Sequence, residues 1–580
     1  MTPHTMQTSS LLARSELART LSSFRREFLV VGLFSLVANV LMLTPTLYML
    51  QVYDRVMVSR SSLTLAAMTL IALFLFGIMA FAEWFRSRLL VRTGVRLDEE
   101  LNARVFGASF EAALRHAGRD ANRAFTDLTQ VRQFLTGNGI FAFFDAPWMP
   151  IYLLILFMLH PLLGSLALLF SLTLAGMTAL SNRLQGSTTD ALLKSSAEVN
   201  GYLHSKLRNS EVIEAMGMLP HLRHRWQVRQ QQYLQAAFKS ADIGRRLQSA
   251  SKFVRYSQQS LMLGAGALLV TWGDLTVGGM IAANVLMSRA LAPIDLITAS
   301  WQSFLTARRA FESLGQLLEE NPSRTAGAPH PTPRGELVLE QLVASVPGRA
   351  SPILDHLEAS FPAGNLVAVI GPSGSGKSTL ARALIGIWPD RQGRVLLDGA
   401  PIESWHREEL GPHIGYLPQD VELLEGSIAD NIARFGDVDA AKVIEAAQRT
   451  GIHDMILRFP NGYDTPMAHA GALLSGGQRQ RIGLARALYG NPAVVVLDEP
   501  NANLDDAGEA ALVAALQQLK TLGKTVVLIT HRMNVISIVD RILLLVDGRI
   551  QIYGPRDQVI AALRPPAAPA PEPALAPQPA

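Results

Sequence analysis

The 580-residue sequence contains no cysteine. That excludes a disulfide scaffold, a thiolate metal site, an iron–sulfur protein and a thiol-dependent protease. Charge is scarce too: Asp, Glu, Lys and Arg make up 17%, against roughly a quarter in soluble globular chains. With a mean hydropathy of +0.21, the shortage implies a membrane component rather than the roughly three or four soluble domains that length alone suggests. Lysine is rare as well, at eight of the 52 basic residues, the rest being arginine. The net charge of +4 with this bias fits genome composition and does not by itself imply a nucleic-acid partner.

The charge-poor stretches lie in the first half. There are 26 uncharged residues between Glu27 and Asp54, 22 between Arg60 and Glu83, and 37 from Ala146 to Asn182. At about 1.5 Å per residue the last run would extend roughly 55 Å, against a hydrocarbon core of about 30 Å, so it serves two helices broken at His160-Pro161. A third pair is expected at Tyr256–Gly273 and about 277–298, the latter interrupted by Arg289, Pro293 and Asp295. Six spans follow. Their connections alternate, short around Asp54–Arg60, at His160-Pro161 and at Gly273–Thr276, and long after spans 2 and 4. The long connections carry nine basic residues from Arg86 to Arg132 and eleven from Arg183 to Lys252. The positive-inside bias places them, with both termini, in the cytoplasm. Their helical periodicity predicts stalks that continue the membrane helices outward.

Residues 1–27 hold Arg14, Arg19, Arg25 and Arg26 before a run too long for a signal-peptide core, and read as an uncleaved cytoplasmic segment. Orientation by charge accounts for the basic loops without nucleic-acid or lipid recognition. Asp145, in Phe-Phe-Asp-Ala-Pro-Trp, and Asp295, after Pro293, are carboxylates within spans and so functional candidates by default. A structural role is expected for Asp145, whereas for Asp295 both readings stand.

Residues 321–335 form a Pro/Gly-rich linker, beyond which short β-rich runs alternate with helical ones in an α/β pattern. Residues 565–580, almost all Pro and Ala, are expected to be a disordered tail. The apolar strand Leu366–Ile370 runs directly into Gly371-Pro372-Ser373-Gly374-Ser375-Gly376-Lys377-Ser378-Thr379, a G-x-x-x-x-G-K-[ST] loop in strand-to-helix context. Its backbone N–H groups and the following helix N-terminus suit phosphate oxygens. Lys377 is placed for the β- and γ-phosphates and Ser378 for Mg²⁺. A second apolar run, Ala493–Leu497, ends in Asp498-Glu499, suited to hold the Mg²⁺ hydration shell and to polarise an attacking water. Leu474-Ser475-Gly476-Gly477-Gln478 opens a basic helical run and makes another anion cradle. One nucleotide needs only one such cradle, so the second is expected to serve the nucleotide held by another copy.

This residue set resembles the ATP-binding-cassette family, in particular the nucleotide-binding domain of its exporters, over about 335–563. The resemblance implies ATP and Mg²⁺ bound at Gly371–Thr379, a signature at Leu474–Gln478, and metal and base carboxylates at Asp498 and Glu499. It further implies that Gln419, in Leu-Pro-Gln-Asp, senses Mg²⁺, that His531, in Ile-Thr-His-Arg, meets the γ-phosphate, and that Asp505 links the two sites of a dimer. Two departures stand out. An aromatic that stacks on adenine in many members is replaced at the matching position by Val346, and Met467-Ala468-His469-Ala470, before the signature, lacks a frequent glutamate.

The implied architecture is an all-α, six-helix transmembrane domain of exporter type followed by an α/β P-loop nucleotide-binding domain. The expected divisions are 1–27, 28–320, 321–335, 336–564 and 565–580. Six spans with one cassette is half an exporter, so a homodimer is expected. Met49–Val56, Asp127–Leu135 and Asp145–Tyr152 are similar to the inner-membrane ATPase of type I secretion systems. That branch implies a periplasmic adaptor (membrane fusion protein), an outer-membrane channel and an unfolded polypeptide client with an uncleaved C-terminal signal. With no cysteine and 27 residues before span 1, neither a leader-trimming nor a peptidase-like N-terminal domain is expected. Export of lipids or small molecules is the alternative on the same scaffold. A nucleotide-gated channel or regulatory subunit fits less well, because Glu499, Gly476 and Gly477 are all present. Six spans exclude a soluble cassette ATPase acting on DNA.

Overall fold

The computed structural model describes residues 16–115, 121–207, 209–322, 330–346, 349, 351–467 and 474–563. The start of the N-terminal segment, most of the linker, residues 468–470 and the Pro/Ala tail lie outside this set. The chain divides into two compact units whose sequence boundary falls at Pro322.

The first unit is helical: α1 (Glu16–Ser23), α2 (Arg25–Leu41), α3 (Thr44–Gln51), α4 (Ser62–Arg115), α5 (Ala121–Thr136), α6 (Asn138–Asp145), α7 (Met149–Leu159), α8 (Pro161–Leu207), α9 (Leu219–Trp272) and α10 (Val277–Glu320). With 54, 47 and 54 residues, α4, α8 and α9 reach about 70–80 Å, more than twice a hydrocarbon core. The long connections thus continue the apolar helices, as the periodicity requires. His160 takes an extended conformation between α7 and α8, so the break falls where proline follows it.

Among the described residues, five stretches are long and apolar enough to cross a membrane: Arg25–Ser59, Ser62–Arg115, Gly139–Leu159, Pro161–Leu207 and Val277–Glu320. The expected fifth span, at the end of α9, is not among them. It opens with Tyr256-Ser257-Gln258-Gln259-Ser260, which lowers its apolar character. Gln258, Met262, Gly266 and Leu269 are buried at helical spacing, so this stripe faces protein. Met262 and Leu269 pack with Leu156 of α7, Leu163 of α8 and Leu286 of α10. The expected last span differs in the other direction, since α10 continues unbroken through Arg289, Pro293 and Asp295.

The first connection is shorter than expected. After α3 the helix passes through a π turn, Val52–Val56, and stops only at Arg60, whose φ is 53°. Asp54 lies in that turn rather than in a loop. Its carboxylate accepts from Thr276 Oγ1 at 2.7 Å and from the Gly278 N–H at 3.0 Å, at the N-terminus of α10. A Cβ at residue 278 would sit 2.6 Å from the Asp54 carboxylate, which requires glycine there.

Asp145 also has a structural explanation. It pairs with Arg86 of α4 at 3.2 Å and accepts from Asn39 Nδ2 of α2 at 2.7 Å. Arg86 also donates to Ser35 Oγ at 3.0 Å and lies over the Phe141 ring, 4.4 Å from its centroid. The Tyr152 hydroxyl donates to the Asn39 carbonyl at 2.9 Å. Four helices share this network.

The second unit holds two sheets. Strands β2 (Leu354–Phe361), β1 (Leu337–Ala344), β4 (Arg391–Leu397) and β5 (Ala400–Pro401) form an antiparallel sheet in that order. The other sheet runs β10 (Arg549–Pro555), β9 (Arg541–Val546), β3 (Leu366–Ile370), β8 (Thr525–Ile529), β7 (Val494–Asp498), β6 (Ile414–Leu417), parallel except for β10. Strand alternation divides its side chains. Val367, Val369, Val496 and Val527 face a core shared with the antiparallel sheet and α11 (Lys377–Leu384). Leu366, Ala368, Val495 and Leu497 face a core shared with α12 (Gly476–Leu488) and α13 (Asp506–Thr521). A third cluster, around Ile428, Ile432, Val443, Ile456, Leu474 and Ile482, is helical. The end of the expected linker is anchored to this unit, because the N–H groups of Gly335 and Glu336 donate to the Asp398 carboxylate at 3.2 and 2.9 Å.

Replacing Asp145 by Ala leaves the Arg86 guanidinium buried without its counter-ion, a change of about 3–5 kcal/mol for such pairs. A clear fall in the thermal midpoint of the purified, membrane-extracted protein is expected, with a smaller fall for the double change Arg86→Met and Asp145→Leu. Equal midpoints for Asp145→Ala and the wild type would show that the pair contributes nothing.

Candidate nucleotide site

Four of the parallel strands end at one edge of the sheet, and each carries a candidate residue just beyond its C-terminus. The phosphate-type loop follows β3, Asp498 ends β7 and Glu499 follows it, Gln419 lies two residues past β6, and His531 two past β8. The register pairs Leu417 with Leu497 and Asp498 with Ile529, which sets these ends level. Ligands of open α/β sheets sit at such an edge.

The loop turns on Gly371, Gly374 and Gly376, at φ 155°, 81° and 98°. At Gly376 a Cβ would come within 2.7 Å of Leu354, and at Gly371 within 2.0 Å of the Leu545 carbonyl. Pro372, Ser373 and Gly374 form an exposed rim, while Ser375 is buried with no partner for its hydroxyl among the described residues. Lys377 folds back over the loop, its ammonium donating to the carbonyls of Gly371 at 2.9 Å and Pro372 at 2.8 Å. Ser378 and Thr379 begin α11, whose N-terminus opens onto the loop.

Asp498 is 1% exposed, and its Oδ1 has no hydrogen-bond partner among the described residues. Burial pushes its carboxyl above the usual range, and Glu499 adds in the same direction. The Ser378 hydroxyl, Arg382 and Lys377 oppose the shift. An orphaned carboxylate oxygen beside a hydroxyl is a donor set that suits a hard divalent cation, so these residues fit Mg²⁺. Glu499 is half-buried with φ 47°, a left-handed conformation rare for a residue with a side chain. Its N–H donates to Ile529 O at 3.1 Å, and Gln480 holds the Glu499 and Pro500 carbonyls at 3.4 and 3.3 Å.

Ser475 caps α12 in a closed capping box, its hydroxyl accepting from the Gln478 N–H at 3.2 Å and its own N–H donating to Gln478 Oε1 at 2.9 Å. The helix therefore starts at Gly476, earlier than the basic run suggests. A Cβ on Gly477 would meet Asn503 O at 2.6 Å. Asp505 caps α13 through the Gly508 N–H at 2.9 Å and pairs with Arg481 of α12. The Gly508 N–H is the leading reason that its carboxyl lies below the usual range. Val346 is exposed at the end of β1 and supplies no ring. The sequence reading passed over Gln480, Arg481, Arg382 and Asn501. Asn501 accepts from Thr530 Oγ1 at 3.2 Å, next to His531. Gln480 and Arg481 lie in a basic helical run where only orientation separates them from Arg479 and Arg486.

Comparison with known proteins agrees with this geometry. The family model described as ABC transporter matches residues 354–502, and the ABC transporter transmembrane region matches 28–293. A type I secretion system ATP-binding protein, PrsD of Rhizobium meliloti, is 42% identical over 94% of this chain and 95% of its own. The chain belongs to the ABC transporter family, in its type I secretion group. Its second unit is an ATPase domain, and its activity is ATP hydrolysis coupled to export. The toxin RTX-I translocation ATP-binding protein of Actinobacillus pleuropneumoniae and the alpha-hemolysin translocation protein HlyB of Escherichia coli are each 28% identical, covering 93% of this chain and 77% of theirs. A bacterial Atm1-family ABC exporter with ATP bound has the same fold, with a TM-score of 0.78 at 23% identity over 93% of this chain and 97% of its own.

Gly376→Ala places a side chain in a left-handed conformation, at about 1–3 kcal/mol, and against Leu354. Fluorescent-ATP titration of the full chain is expected to show at least a tenfold loss of affinity. Wild-type affinity would mean that the loop can rebuild around a methyl group.

Proposed function

We propose that this ABC transporter works as a homodimer that hydrolyses ATP to drive an unfolded polypeptide with a C-terminal signal across the bacterial inner membrane. The observation that carries the ATPase part is the convergence of four strand ends on one sheet edge, with the orphaned Asp498 oxygen at its centre. The names of the relatives, which speak of type I secretion, an RTX toxin and hemolysin, support the polypeptide client.

In this reading Gly371–Thr379 cradles the phosphates, and Lys377 exchanges its carbonyl partners for phosphate oxygens. Ser378, Asp498 and Gln419 hold Mg²⁺, which when bound neutralises phosphate charge. Glu499 takes the proton of the attacking water, and His531 meets the γ-phosphate. The second anion cradle, Ser475–Gln478, opens a helix that reaches into the separate helical cluster. It serves the nucleotide of the other copy, and Asp505 lies at that junction. Val346 leaves adenine without an aromatic platform. ATP binding closes the two ATPase domains on each other, and the segments around Asp127–Phe134 and Ser210–Gly217 pass closure to the spans. Hydrolysis reopens the pair.

The last part of α9 supplies the fifth of the six spans. The basic residues of the long connections support a cytoplasmic position for the ATPase domains and both termini. A periplasmic adaptor and an outer-membrane channel complete the export path.

Glu499→Gln is expected to lower ATP turnover by about 10²–10⁴-fold, the range for loss of a general base, and to trap an ATP-bound dimer visible by size-exclusion chromatography. Near-normal turnover would remove Glu499 as the base. Lys377→Ala should instead weaken ATP binding itself. An ATPase stimulated by lipids or drugs and indifferent to a C-terminal client fragment would replace the polypeptide reading with lipid or small-molecule export.

A further inference from the structure

A cavity of about 530 Å³ lies among α8, α9 and α10, where the apolar parts of these helices give way to their polar ends. Its walls combine two kinds of surface. Leu174, Met177, Leu247 and Trp301 are apolar, whereas Asn182, Gln185, Gln248 and Gln302 present amides. Thr178 and Thr298 join hydroxyls across it at 2.8 Å, and Gln185 Nε2 donates to Ser181 Oγ at 2.6 Å. Three charged residues line it: Lys252, Arg255 and Asp295. Arg255 and Asp295 form an ion pair and cancel. No carboxylate among the described residues pairs with Lys252, which is exposed at the rim of the wall, so one ammonium charge stands uncompensated there.

A side-chain amide offers a donor and an acceptor together, the complement of a peptide unit. Several amides around apolar surface therefore suit an extended chain of varied sequence. An acyl chain would offer no partner to the amide atoms that face the cavity, at a cost. The lone ammonium adds a preference for negative charge. The polar surface also continues beyond the cavity. A second cavity of about 530 Å³, lined by Gln130, Gln133, Ser303 and Thr306 among others, has no charged residue and shares Ala299 and Gln302 with the first. Gln302 thus stands at the junction of two hydrogen-bonding surfaces on α10, one of them without charge.

We propose that the cavity among α8, α9 and α10 receives an extended, carboxylate-bearing stretch of the exported polypeptide, with its backbone against Gln185, Gln248 and Gln302 and a carboxylate on Lys252. The assignment rests on the polypeptide reading above and names a site and a charge preference for it. It also divides the two intramembrane carboxylates: Asp145 locks helices together, while Asp295 neutralises Arg255 and leaves Lys252 as the recognising cation.

The test uses the purified full-length transporter in phosphatidylcholine nanodiscs and three labelled 20-residue peptides of Gly and Ser with regularly placed Asp, Asn or Lys. Fluorescence anisotropy is expected to show the Asp peptide binding about tenfold more tightly than the Asn peptide, the scale of one charge-assisted hydrogen bond, and the Lys peptide most weakly. Lys252→Glu should reverse the order of the Asp and Lys peptides, which misfolding would not do. Lys252→Gln should bind the Asp and Asn peptides alike. Lys239→Glu, an exposed change on the same helix, should keep the wild-type order. Equal binding of all three peptides to wild type and Lys252→Glu, or a reversal by Lys239→Glu as well, overturns the cavity assignment and leaves polypeptide export standing. Failure of every peptide to bind, with ATPase stimulation by phosphatidylglycerol in the nanodisc, overturns both.

Discussion

Asp498 ends a strand whose five residues are all buried, and withdrawing an ionised carboxylate from water costs several kcal/mol unless charge or hydrogen bonds answer it. Within the chain the answer is incomplete. The Ser378 hydroxyl meets one side, Arg382 and Lys377 act from further away, and one oxygen remains orphaned. The residues around it are arranged by the same requirement. The phosphate-type loop comes from β3, which only β8 separates from β7 in the sheet, and Gln419 and His531 arrive because β6 and β8 flank β7. A parallel sheet makes this possible, because all its strands end on one side.

The first unit solves the problem in the opposite way, with carboxylates answered by groups inside the protein. Asp145 has Arg86 and Asn39, and Asp295 has Arg255. The helix α10 shows what the pairing does. At its N-terminus the Asp54 carboxylate binds Thr276 and Gly278. At its C-terminus Arg104 donates to the carbonyls of Leu318 at 3.2 Å and Asn321 at 2.6 Å. An anion at the start and a cation at the end both complement the helix dipole. The clamps come from opposite ends of the first membrane helices, the π turn after α3 and the stalk part of α4, so α10 is fixed along its length by groups over two hundred residues away.

Features whose cause lies within a few residues were legible in the sequence. The glycines of 371–376, the apolar strand before Asp498 and the proline break at 161 each announce themselves locally, and the three uncharged runs mark four of the apolar stretches. Features that depend on a distant partner were not. Nothing near Asp54 shows that it will cap a helix 222 residues later, and so the π turn that aims it read as a loop. Nothing near Asp505 shows that within the chain it caps α13 and pairs with Arg481. The fifth apolar stretch lay between these cases, because Gln258 counts against a membrane span by composition while its burial serves packing.

The adjacent carboxylates of β7 raise a last physical question, which is how Asp498 and Glu499 can differ in role when they are neighbours. Strand alternation alone sends consecutive side chains to opposite faces, which would turn Glu499 away from the phosphate loop. The backbone leaves the strand at that residue instead. Glu499 takes φ 47°, a conformation that costs about 1–3 kcal/mol for a residue with a Cβ and persists only where surrounding structure over-determines it. Here Ile529 O holds its N–H and Gln480 holds the two carbonyls that follow. The kink releases Glu499 from strand geometry while Asp498 stays within it. The electrostatics agree, since burial raises Asp498 more than Glu499 does. Glycine would relieve the strain but remove the carboxylate, so the strained backbone belongs to the design of the site.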